Sequence, residues 1–136
     1  MISNKIYVSL CLALSGLYFV VTGIQFWAPD YLKSIIGVDE QSVSIFFVVT
    51  CFSAPVSGVI VGGIVTTAFG GYNTKKSFKL LRVIGALAVV CALIIPLLDD
   101  FTAVGSLIWL LLFLGAFILP SLTGVMISSV GQYQKA

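Results

Sequence analysis

The amino-acid sequence predicts an all-α integral membrane protein with four transmembrane helices and both termini on the cytoplasmic side. Three observations lead there. Of 136 residues, 60% are hydrophobic and 9% charged, whereas soluble domains carry roughly a quarter charged residues. The apolar residues fall into four runs, each long enough at ~1.5 Å per residue to cross a hydrocarbon core of ~30 Å. The charges between the runs are sorted by sign. A chain of this size cannot hide so much apolar surface in a core of its own, so lipid is the expected solvent for much of it.

The first span is expected over residues 6–28. A secretory signal would also place Lys5 before an apolar stretch. Here the stretch continues through Tyr18, Phe19, Val20 and Val21 to Phe26 and Trp27, well past a signal h-region, and predicts an uncleaved span. Pro29 is expected to end the helix, with residues 30–37 lying at the interface and Trp27 and Tyr31 at headgroup level. Asp39-Glu40-Gln41-Ser42 suits a helix start, since acids favour the positive end of the helix dipole.

The second span is expected over 43–69. Ala54, Gly58, Gly62, Thr66 and Gly70 repeat every fourth residue and fall on nearly one helical face. In lipid, helices associate by close backbone approach, so this stripe of small residues predicts a tight helix–helix seam. Pro55 should kink the helix. A basic loop over 70–79 follows, with Lys75, Lys76 and Lys79, and with Arg82 just beyond it. The third span is expected over 80–98, Arg82 snorkelling at its inner end and Asp99-Asp100 closing the other. The fourth is expected over 102–130, with Pro120 near its middle and Gly115, Gly124, Ser128 and Gly131 as a partial small-residue face. A short polar tail completes the chain.

Four spans put Lys5, Lys75, Lys76, Lys79, Arg82 and Lys135 on one side of the membrane. Lys33 is on the other with Asp30, Asp39, Glu40, Asp99 and Asp100. Flanking cations stay cytoplasmic because moving them across the bilayer is costly and the membrane potential opposes it. The basic loop is therefore expected inside, with both termini.

Several functions are disfavoured. Histidine is absent, which removes the commonest metal ligand and general base. Cys11, Cys51 and Cys91 lie far apart in apolar runs and read as small buried hydrophobes. A net charge of +2 is too small to suggest nucleic acid. No enzyme activity, metal or cofactor is expected. No carboxylate lies deep in a span, which argues against a four-helix proton-coupled exporter of the small multidrug type.

Polar groups inside spans normally turn toward other helices or an aqueous path. Tyr18, Thr22 and Gln25 share one face of the first span and could offer hydroxyl and amide groups to a solute. The alternative for each is a bond to a neighbouring helix or to its own backbone. Thr50 and Ser53 are weaker candidates, because a hydroxyl can bond the carbonyl one turn back. Phe113 and Phe117 could line a pocket, but aromatic residues at helical spacing are more often packing.

The run from Tyr18 to Leu32, YFVVTGIQFWAPDYL, resembles the seventh helix of major facilitator superfamily transporters, especially the Spinster-like group. Residues 53–63, SAPVSGVIVGG, resemble the Gly-rich eighth helix. The basic loop stands where that family keeps a Gly-Asp-Arg-Lys/Arg loop; Gly62, Gly63, Lys75 and Lys76 fit it, while the family's Asp has no counterpart. The resemblance covers nearly the whole chain as helices seven to ten of twelve, part of a C-terminal half. It implies a fragment or subunit of a secondary transporter in the plasma or an endolysosomal membrane, with Tyr18, Thr22 and Gln25 facing the central cavity. Its partners would be lipid, a small-molecule solute and further transmembrane helices, from the rest of a transporter or from copies of itself. The other reading is a free-standing four-helix scaffold or accessory subunit that docks through Ala54, Gly58 and Gly62.

Overall fold

The computed structural model describes residues 5–71 and 74–133. Among them are four long helices and no strand: α1 (Lys5–Ser34), α2 (Glu40–Ala68), α3 (Lys75–Ile94), a 3-10 turn (Ile95–Leu97) and α4 (Phe101–Tyr133). All four are long and apolar enough to cross a membrane. Of the expected tail, Gln134, Lys135 and Ala136 lie outside the described residues, as do Tyr72 and Asn73 of the expected loop.

Helix α4 is the centre. It has no charged residue in 33, and an element apolar all round belongs inside a bundle. Val104, Ile108, Leu112, Ala116, Phe117 and Val125 are buried along it, and it packs against each of the other three helices. Its directions follow from its partners. On α2, Phe46 meets Phe101 and Gly105, Gly58 meets Phe113 and Ala116, and Gly62 meets Phe117. Thr66 meets Ser121, 55 positions on. Contacts that climb both sequences together mean that α2 and α4 run parallel. Against α1 the order reverses: Leu17 and Val21 approach Gly115, whereas Ile24 and Ala28 line a groove with Ile108. Helices α1 and α4 are antiparallel, and α3 carries the chain back between the two parallel helices.

Local chemistry sets the helix starts. Asp39 caps α2 by accepting from the Ser42 N–H at 2.9 Å, Asp100 caps α4 by accepting from the Ala103 N–H at 2.9 Å, and Thr74 caps α3 through the Ser77 N–H. Ser77 is buried and its hydroxyl donates to the Gly71 carbonyl at 2.7 Å. This cap moves the start of α3 forward, so Lys75, Lys76 and Lys79 stand on the helix and not in a loop. Gly70, expected as the fifth stripe member, lies beyond α2 in the turn, at φ +96.

Pro29 does not end α1. The helix passes through it to Ser34. Proline removes one backbone donor and is tolerated in spanning helices where neighbours compensate. The last turn here is held by Leu32, fully buried in the core with Ala28, Val43 and Val104. The chain turns only at Gly37, φ +76, where the Val38 N–H reaches back to the Leu32 carbonyl at 3.3 Å. Lys33 pairs with Glu40 across that turn at 2.9 Å, an exposed ion pair of little energetic weight. Pro55 and Pro120 also lie inside their helices.

The charges separate along the bundle axis. Lys75, Lys76, Lys79 and Arg82 occupy the end where α3 begins, and Asp30, Asp39, Glu40, Asp99, Asp100 and Lys33 occupy the other. Between them the outer surface is apolar, with Phe19, Phe26, Phe52, Val89 and Leu93 exposed.

Two outcomes test this description. Gly62→Ala should destabilise the bundle by about 3 kcal/mol or more, because the new Cβ meets main-chain atoms of Phe117 and overpacking against backbone cannot be relieved by a rotamer change. Gly63→Ala, with nothing within 4 Å, should be neutral or stabilising by up to ~1 kcal/mol. Unfolding of the purified protein in mixed micelles compares the two. The second concerns acid. The hydrogen bond from the Ser42 backbone, and then that from its side chain, holds the Asp39 carboxyl below the usual carboxylate range. A carboxyl whose folded pKa is depressed stabilises above its unfolded value and loses that contribution as pH falls through the folded one. Asp39→Ala should therefore lower the thermal midpoint near neutral pH, and the gap to wild type should close in strong acid.

Candidate functional site

The small-residue stripe finds its partner inside the chain. Ala54, Gly58, Gly62 and Thr66 are all buried, and the face they form lies on α4. A Cβ built on Gly58 would meet the Phe113 carbonyl oxygen and stand 2.9 Å from the Ala116 Cβ. One on Gly62 would meet the Phe117 carbonyl oxygen and stand 2.9 Å from its Cα. Glycine is required at both for the backbones to approach so closely. At the end of the seam nearer the start of α3 the hydroxyls of Thr66 and Ser121 are 2.7 Å apart in a buried hydrogen bond. Nearer the other end the Trp109 indole N–H donates to the Ser53 hydroxyl at 2.8 Å, which donates in turn to the Val49 carbonyl at 2.7 Å. Trp109 stacks on Phe113 with centroids 5.5 Å apart. Ser53, Phe113 and Phe117 are therefore packing groups of this seam. The seam is also closed to outside partners, so a scaffold could not dock through Ala54, Gly58 and Gly62.

Tyr18, Thr22 and Gln25 take a different position. All three are exposed, and at ~100° per residue they form a strip roughly a quarter turn from the buried face of α1. That buried face carries Leu10, Ala28 and Leu32, and Phe19 and Phe26 lie on the far side of the strip. The strip thus borders the bundle without entering it. None of the three hydrogen-bonds through its side chain to a described residue. The contrast with other spanning hydroxyls is informative: Ser57, Thr67 and Ser106 each donate to the carbonyl four residues back, and Thr22 does not.

Tyr18 opens onto an open groove of about 600 Å³ between α1, α2 and α4, lined also by Val59, Pro120, Thr123, Gly124 and Ser128. Tyr18, Thr123 and Ser128 therefore border one apolar concavity, the Ser128 hydroxyl donating to the Val125 carbonyl at 2.9 Å. Thr123 was not legible as a site residue from the sequence, since nothing in its local pattern sets it apart. Thr22 and Gln25 are not among the groove's lining residues. The four cations Lys75, Lys76, Lys79 and Arg82 are all exposed, at the end of the bundle where α3 begins. Chemically, the strip and groove offer neutral hydrogen-bonding groups. Among the described residues no carboxylate or amine lines the groove, and no cluster of His, Cys, Asp or Glu could hold a metal ion.

The chain matches no family model, no characterised protein and no solved structure. The reading of function therefore stands on residues and geometry.

The two interhelical hydrogen bonds define an expected outcome. In a double-mutant cycle, Thr66→Val and Ser121→Ala should couple by about 0.6–1.7 kcal/mol. Thr66→Val with Gly124→Ala, which shares no bond, should be additive within about 0.5 kcal/mol. Unfolding in mixed micelles supplies both values.

Proposed function

We propose that this chain is part of a secondary transporter of the major facilitator type, fragment or subunit, and that α1 to α4 correspond to helices seven to ten of that fold. Tyr18, Thr22 and Gln25 face the solute path, and further transmembrane helices, supplied in the same or another polypeptide, complete it. The observation that carries this reading is the polar strip on α1. Two hydroxyls and an amide on one face stand without hydrogen-bond partners among the described residues, on a helix long and apolar enough to span a bilayer. A polar group left facing hydrocarbon costs several kcal/mol. Water, a solute or another helix must therefore meet that strip in the working protein.

The groove beside Tyr18 supports the same reading, because it adds Thr123 to the strip's border. Neutral donors and acceptors of this kind suit a polar solute held by hydrogen bonds. Both termini and the basic turns of α3 are placed on the cytoplasmic side, by the sign of the flanking charges. The accessory-scaffold reading loses its docking seam to α4.

Accessibility tests the proposal. With the native cysteines replaced, Thr22→Cys and Gln25→Cys should react with a membrane-impermeant thiol reagent in native membranes, and Phe19→Cys should not. Absence of reaction at both positions would sink the solute-path reading. In the assembled transporter, Gln25→Ala should lower saturable solute uptake at least about tenfold, the loss expected when one buried hydrogen-bonding group is removed.

A further inference from the structure

We propose that the first two turns of α3 are a binding site for anionic phospholipid headgroups. The inference is independent of the transport reading and rests on four observations. Lys75, Lys79 and Arg82 lie at intervals of four and three residues, which puts them on one face of α3, with Lys76 on its flank. The strip runs about 10 Å along the helix axis, comparable to the depth of a headgroup layer. All four side chains are exposed, Lys75, Lys79 and Arg82 on the opposite side from buried Ser77.

The second observation is the lack of countercharge. None of the four makes an ion pair with a described residue, the first turn of α3 holds no acid, and every Asp and Glu of the sequence lies at the other end of the bundle. Third, these cations sit at the positive end of the α3 dipole, where a cation is unfavourable and an anion favourable. An external anion relieves that arrangement. Fourth, Phe78 and Val83 are exposed beside the strip, offering apolar contact to the acyl chains below a bound headgroup. Helix α3 is also poorly enclosed, with Ser77 and Cys91 its only buried residues among those described, so lipid is its main neighbour.

A loop would satisfy topology with the same four charges. The Thr74 cap instead fixes them to a helical face. The site takes the phosphate and carboxylate of a lipid such as phosphatidylserine.

Spin-labelled lipids test this on the whole chain reconstituted in phosphatidylcholine vesicles. The immobilised fraction of labelled phosphatidylserine should exceed that of labelled phosphatidylcholine by at least about fivefold in relative association constant, given the usual contribution of a basic residue at an anionic surface. Combining Lys75→Gln, Lys76→Gln, Lys79→Gln and Arg82→Gln should remove the preference. Lys33→Gln should leave it, as should Lys75→Arg with Lys76→Arg and Lys79→Arg. Equal association of the two lipids with wild type would overturn the proposal whatever the variants do. So would a preference that survives in the quadruple variant. Loss of the preference in inorganic phosphate, against chloride at matched ionic strength, would assign the site to free anions and overturn it as well.

Discussion

The close approach of α2 and α4 at Gly58 and Gly62 is the constraint on which the rest of the arrangement depends. Main-chain atoms of Phe113 and Phe117 occupy the space where side chains would stand on α2. In a bilayer no expulsion from water drives helices together, because lipid tails are as apolar as leucine. Dispersion over a long, close seam does that instead, and hydrogen bonds across it add to the effect. The two are combined here. Thr66 and Ser121 close one end of the contact, and Trp109 with Ser53 the other. Because α2 and α4 run parallel, the chain between them must cross the bundle's length once more. The existence of α3 follows from the seam, even though α3 itself is poorly enclosed.

The other helices relate to α4 by weaker means. Helix α1 lays Leu10, Ala28 and Leu32 inward, and the small surface of Gly115 admits Leu17 and Val21. Its polar strip sits at the border of that contact. The resulting molecule has two kinds of outer surface. Most of it is aliphatic and aromatic, as a lipid-facing surface is. A narrow band on α1 is hydrogen-bonding and unpartnered among the described residues, and one end of α3 is densely cationic. These two, with the acidic end formed by Asp30, Asp39, Glu40, Asp99 and Asp100, are the polar parts of the outer surface.

Much of the fold was legible in the sequence. Four apolar runs gave four helices at nearly the expected positions, and the fourfold repeat of Ala54, Gly58, Gly62 and Thr66 correctly marked a seam. What the repeat could not reveal was the partner, since close approach is a property of two helices and only one carries so clear a stripe. Its partner face on α4 includes Phe113 and Phe117, which contribute backbone to the contact, and backbone leaves no trace in composition. Pro29 misled because a local breaking tendency of roughly 3 kcal/mol was outweighed by burial of Leu32 three residues later. The basic segment misled in the same way. Its charges suggested a loop, but the Thr74 and Ser77 cap decides where a helix starts, and a cap is a matter of a few atoms. Tyr18, Thr22 and Gln25 share a face as their spacing requires; what that face meets is set by groups outside α1.

The most direct test of this account is a cross-link across the seam. In a chain with Cys11, Cys51 and Cys91 replaced by alanine, Thr66→Cys and Ser121→Cys place two thiols where hydroxyls now stand 2.7 Å apart, within reach of disulfide geometry. Mild oxidation in membranes should join this pair rapidly and leave Thr50→Cys with Ser121→Cys unjoined. Bonding of the Thr50 pair, or failure of the Thr66 pair in folded protein, would contradict a parallel α2–α4 seam and the architecture built on it.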